Sequence, residues 1–184
     1  MSERRGVAQL LRSAAVACAG LGLVTGHGPA ALGKGHSDGG ERLVGTWQLE
    51  SRVDRDSSGQ VLPEPSLGSD PVGYLIYDAA GHVAVQLMAR HRPDSPCEVT
   101  SSPRSGNVGH IGGYDAFFGR YEVDAQAGIV THTLEGALSP ADVGRRLTRR
   151  FKVAGDTLTL EFEPGGSPGT GPTRTLTWRR VSPP

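Results

Sequence analysis

Cysteine is nearly missing from this chain: its 184 residues contain two, Cys18 and Cys97. Cys18 falls in a segment expected to be removed, so Cys97 stands alone and no disulfide framework holds the fold. Nothing beside Cys97 in sequence would lower its pKa, and it reads as a bystander thiol. Charge of one sign is missing as well. Lys and Arg total 19 against 19 Asp and Glu. The densest basic run, Arg145, Arg146, Arg149 and Arg150, alternates across two sheet faces, so no stripe is left to follow a phosphate backbone and no nucleic acid is expected as partner. No apolar run reaches the ~18 residues a membrane span requires. Also absent are a nucleophile elbow, a Cys-x-x-Cys pair and a His-Glu-x-x-His pair. The Gly-Ser-Pro-Gly-Thr-Gly stretch at 166–171 only mimics a phosphate loop, since no strand-to-helix transition follows it. His82, His91 and His110 fall at turns and loops, and His27 and His36 lie in the polar N-terminal region. No second histidine is spaced to complete a metal site with His132, so neither a metal nor a cofactor is expected.

What is abundant is glycine, 27 residues, and proline, 13. With scattered Val, Leu, Thr and Tyr they favour many short strands and turns. Residues 1–31 have the layout of a secretion signal: Arg4, Arg5 and Arg12, then the uncharged run 13–26, then small side chains at 28–31. Removing them leaves 16 basic against 18 acidic residues. The Arg4-Arg5 pair resembles a twin-arginine signal, and both that route and the general one stay open. The expected location is therefore outside the inner membrane, periplasmic or extracellular. Residues 32–41 read as a flexible linker, and 42–182 as one domain.

That domain opens on Leu43-Val44-Gly45-Thr46-Trp47-Gln48-Leu49, a first strand. Gly45 allows close backbone approach, and Trp47, two residues on, points to the same face and can fill a barrel floor. A hairpin follows, Pro71 to Tyr77 and His82 to Met88 joined by Asp78-Ala79-Ala80-Gly81. Further strands are expected at 116–123, 128–138, 145–153, 157–162 and 173–181, joined mostly by tight turns. Eight strands in up-and-down order predict an all-β, antiparallel barrel.

The Gly45-x-Trp47 pair resembles the opening strand of lipocalin and calycin barrels. Asp70-Pro71-Val72-Gly73-Tyr74-Leu75-Ile76-Tyr77, Val85-Gln86-Leu87-Met88, Phe118-Gly119-Arg120-Tyr121 and Gly128-Ile129-Val130-Thr131-His132 extend the likeness to a lipocalin-like domain family of bacteria and fungi. The likeness runs from Leu43 to about Arg180 and departs between Arg92 and Asp115, where such proteins often carry a helical segment. It implies a barrel with a lumen, and a last-strand arginine, Arg179 or Arg180, lying across Trp47 as a structural cation–π contact.

With Trp47 inward, strand alternation places Gly45, Leu49 and Ser51 inside and Gln48, Glu50 and Arg52 in water. His132 shares a face with Val130 and Leu134. It is a ligand hydrogen-bonding group, an acid or base, or a core histidine satisfied by a neighbour. Tyr74 with Ile76, Gln86 with Met88, and Phe117 with Tyr121 are same-face pairs expected to line the lumen. Arg120 and Arg150 are candidates to bind a carboxylate head group if they point inward. The expected function is an exported barrel holding a small apolar or amphipathic molecule. Two alternatives stay open: an enzyme of cyclase or isomerase type using a lumenal histidine, and a filled barrel acting as a structural module.

Overall fold

A computed structural model describes residues 38–92, 99–100, 110–164 and 171–181. The proposed signal, most of the linker, and Cys18, Cys97, His27 and His36 lie outside the described residues. A four-residue helix α1, Asp38–Glu41, precedes eleven strands. In chain order these are β1 (Gly45–Arg55), β2 (Val61–Leu62), β3 (Pro71–Tyr77), β4 (His82–Ala89), β5 (Val99–Thr100), β6 (His110–Ile111), β7 (Tyr114–Asp124), β8 (Ile129–Ala137), β9 (Arg146–Ala154), β10 (Thr157–Phe162) and β11 (Thr173–Arg180). Three of them, β2, β5 and β6, are two-residue side pairings. The other eight close: each pairs antiparallel with its successor, β4 pairs β7, and β11 returns to β1. The result is an up-and-down barrel of eight strands. Closure leaves no free edge between neighbouring strands.

Register decides which side chains fill the barrel. Trp47 is fully buried and sits opposite Leu75, so Leu75 and Tyr77 face inward with it. Gln48 sits opposite Tyr74, so Tyr74 and Ile76 face outward and are about half exposed. The inward phase then runs through Val83, Val85 and Leu87 on β4, Phe117 and Tyr121 on β7, Val130, His132 and Leu134 on β8, and Leu158 and Leu160 on β10.

In β1 the phase changes. Leu49 pairs Trp178 but Ser51 pairs Thr177, so Glu50 is an extra residue and forms a bulge. One inserted residue reverses every later side chain. Trp47 and Leu49 point in before the bulge, and Arg52 and Asp54 point in after it. The expectation that Ser51 is inside and Arg52 in water is therefore reversed. A second register shift lies between Phe118 and Gly119 in β7. There a Cβ on Gly119 would lie 2.0 Å from the Thr133 carbonyl oxygen, so only glycine fits.

The floor is sealed from outside the strands. The last four residues assigned to the linker form α1, whose Gly39 packs so close to the β7–β8 turn that a Cβ would lie 2.4 Å from that of Ala125. The chain then drops Leu43, fully buried, under the barrel, where its carbonyl accepts the Trp47 indole N–H at 2.8 Å. Arg180 covers the same indole, its guanidinium carbon 4.0 Å from the ring centroid, and donates to the carbonyls of Val44 and Arg42. The expected arginine over Trp47 is thus Arg180. Arg179 points outward to Glu50 at 3.0 Å.

Candidate functional site

Inward alternation gives the lumen two kinds of wall. Leu75, Val85, Leu87, Leu160 and Leu176 supply apolar surface, and Trp178 lies among them. Arg52, Asp115, His132 and Arg149 face the same cavity. The space between them is about 20 Å³, room for a water and less than an organic ligand needs.

The charged groups are carried toward one end by the strand directions. Asp54 pairs Arg174 across β1 and β11, two residues along β11 from Leu176 and four from Trp178. Arg174 donates Nε and Nη2 to the two Asp54 oxygens at 2.6 and 2.5 Å, a fork-on-fork ion pair. Glu64, from the connection after β2, reaches in and joins Arg174 at 3.0 Å to Arg52 at 2.5 Å. The other Glu64 oxygen accepts the Ser66 backbone N–H at 2.8 Å. This turn tucks Leu67 into the core and straps one end of the barrel, since the Ser66 carbonyl lies 3.6 Å from a Cβ placed on Gly113, the residue before β7.

Below this network the partners run out. Arg52 Nε and Nη1, Asp115 Oδ1, His132 Nδ1, Arg174 Nη1 and Trp178 Nε1 are buried without a hydrogen-bond partner among the described residues. Native interiors leave few such groups, and here those of Arg52, Asp115, His132 and Trp178 belong to residues that line one cavity. Burial pulls Arg52 and Arg149 down to about 10, which still leaves both charged at neutral pH. Burial pushes Asp115 up to about 7, against the attraction of Arg52 and Arg149.

His132 is held at one nitrogen. Its Nε2 lies 2.7 Å from the Tyr77 hydroxyl, and the Tyr77 ring meets Tyr121 edge-on at 4.7 Å between centroids. Tyr121 in turn donates to the Asp78 carbonyl at 2.9 Å. Burial, then the Arg149 charge, lowers His132 well below the usual imidazole range, so it is neutral. Burial raises the Tyr77 phenol, so it too keeps its proton. The reading of a histidine satisfied by a neighbouring tyrosine holds for Nε2, while Nδ1 remains without a partner.

Of the seven residues expected to line the lumen, Phe117, Tyr121 and His132 are buried inside, and Phe117 and His132 border the cavity. Tyr74, Ile76, Gln86 and Met88 lie on the outer face, Gln86 accepting from the Tyr114 hydroxyl at 2.9 Å. Their lining positions belong to Leu75, Val85 and Leu87, one residue away on the same strands. Arg120 and Arg150 also face out, paired with Glu135 at 3.1 Å and Glu161 at 3.7 Å. The inward arginines are Arg52, Arg149 and Arg174. Arg149 could be found from the alternation of the 145–150 run, whereas Arg52 is hidden by the bulge. Among the described residues no group of three or more His, Cys, Asp or Glu is placed to hold a metal ion.

Comparison with known proteins bears on the fold. None of the curated proteins matches the chain. Among solved structures, a redesigned β barrel, mFAP1, bound to DFHBI, is similar over 78% of this chain and 100% of that one, at 14% identity and a TM-score of 0.38. A likeness that remote carries no argument about what this barrel holds. The family match is of another order, because the model of the lipocalin-like domain matches residues 44–181, from the residue before Gly45 to the residue after β11. The chain belongs to the lipocalin-like domain family.

Proposed function

We propose that this barrel binds a small amphipathic molecule in its lumen. The observation that carries the reading is the convergence of unpartnered buried polar atoms with four leucines and Val85 on one cavity. A pocket with an apolar wall and a few fixed polar groups is the usual form of a small-molecule site. The apolar wall contributes about 25 cal/mol per Å² of ligand surface buried, and His132 Nδ1 and the inward arginines set orientation. The small cavity requires the Glu64–Leu67 strap and neighbouring side chains to yield as a ligand enters. The proposed signal at 1–31 supports export, with the barrel working in the periplasm or outside the cell, and N-terminal sequencing of the mature protein tests it.

One observation favours a second reading, a filled barrel with a structural role: about 20 Å³ is little room. Native mass spectrometry of protein purified gently from its own host, with solvent extraction of the denatured sample, separates the two. The binding reading expects a small molecule that stays with the folded protein and is released on denaturation. If nothing is released, and a hydrophobic fluorescent probe also fails to enter, the filled barrel replaces it.

A further inference from the structure

We infer that the molecule the lumen accepts is a small monocarboxylate with an apolar body, its carboxylate set between Arg52 and Arg149. This rests on the lumenal-binding reading and narrows its chemistry. Three guanidiniums lie inside the barrel, Arg52, Arg149 and Arg174, none more than 6% exposed. Two carboxylates are committed to them. Asp54 is taken by Arg174, and Glu64 is shared by Arg174 and Arg52 Nη2. Arg52 keeps two unpartnered nitrogens, Nε and Nη1. Arg149 forms no ion pair among the described residues. Its Nη1 makes one long hydrogen bond, 3.3 Å to the Leu147 carbonyl, and its guanidinium lies 4.5 Å from the Phe162 centroid.

The lumen thus carries one positive charge more than its paired carboxylates answer. A buried charge without a partner is destabilising, and a monoanion that reaches Arg52 and Arg149 together relieves it. A dianion would exceed the need. Asp115 borders the same cavity and feels the attraction of both arginines, but it forms no ion pair with either and its Oδ1 has no partner. Held up to about 7 by burial, it supplies only part of a negative charge at neutral pH, and its protonated form can donate a hydrogen bond to a bound carboxylate. Leucines 75, 87, 160 and 176 with Val85 face the same space and accept the apolar body, which free phosphate or sulfate lacks.

The test is calorimetric titration of the purified protein with octanoate and with octanol, two probes sharing a chain and differing in charge. Octanoate is expected to bind at least tenfold more tightly. Arg149→Met is expected to bring octanoate down to the affinity of octanol and to leave octanol unchanged, while Arg150→Met, on the outer face, changes neither. Equal affinity for the two probes, or octanol binding alone, overturns the carboxylate inference and leaves lumenal binding standing. Loss of octanoate binding in Arg150→Met instead of Arg149→Met overturns it too, by moving the contact to the outer surface. Binding of neither probe removes both readings. Should Arg149→Met fail to fold, the ratio of the two probes on the wild-type protein decides.

Discussion

Asp115 concentrates what is unusual about this barrel in one carboxyl group. Its ordinary value of 3.8 is raised by burial to about 7, so folding takes up a proton between those values. A raised folded-state pKa means stability that is fully present below about pH 4 and is lost as pH rises through about 7. Asp115→Asn keeps the shape and removes the titration. The variant is expected to match wild type at pH 4 and exceed it at pH 8 by roughly 2–4 kcal/mol, read from urea unfolding at both values. The buried neutral His132 titrates in the opposite sense, its stabilising share being lost as pH falls below about 6.5, but it is common to both proteins and cancels in the difference. An equal gap at the two pH values would mean that Asp115 ionises in the fold as it does outside it. His132 was legible in the sequence because two apolar residues flank it on one face of a strand. Asp115 was not, because it lay at the edge of a stretch read as loop, one residue before the strand was expected to begin.

At the scale of elements, sequence marks where strands lie more readily than how they are phased. The expected strands at 116–123, 128–138, 145–153, 157–162 and 173–181 lie within two residues of the observed ones at either end, the fourth of them matching at both, and Gly81 closes the β3–β4 hairpin in a left-handed conformation. Phase fails in β3 and β4 because both faces carry apolar residues, Tyr74 and Ile76 on one and Leu75 and Tyr77 on the other. Only pairing with Trp47 decides between them. It fails in β1 because no local signal at Glu50 announces a bulge, and a single inserted residue hides Arg52 and Asp54 from any alternation argument. The register shift between β7 and β8, where Glu135 is the extra residue, offers a direct check. A methyl at Gly119 would meet backbone on the neighbouring strand, Thr133 O at 2.0 Å and Glu135 N at 2.8 Å, with no flexible side chain to yield. Gly119→Ala is expected to cost at least about 2 kcal/mol by overpacking. Gly59→Ala, in a turn where a Cβ meets nothing within 4 Å, is expected to cost about 1 kcal/mol from backbone conformation alone. Thermal denaturation of the two variants side by side measures the contrast, and equal losses would show that β7 can shift to admit a side chain.

Across the whole molecule the two ends of the barrel treat buried arginine in opposite ways. At the floor, Arg180 is satisfied: it stacks on Trp47 and donates to the Val44 and Arg42 carbonyls, tying the last strand to the segment that enters the first. In the lumen, Arg149 has a long hydrogen bond and a ring face but no anion among the described residues. The same substitution should therefore have opposite consequences. Arg180→Met removes two hydrogen bonds to carbonyls and a cation–π contact, leaves the Arg42 and Val44 oxygens to find other partners, and is expected to cost about 2–3 kcal/mol. Arg149→Met removes a desolvated charge while keeping most of the volume, and is expected to be neutral or to stabilise by about 1–3 kcal/mol. Urea midpoints at pH 7 for the two variants give the comparison. Opposite signs are what a barrel holding stability in reserve for a lumenal ligand should give, because sites kept for binding are commonly the places where a fold is less stable than its sequence allows. Loss of similar size in both would make Arg149 a structural residue of the core and return the barrel to the filled reading.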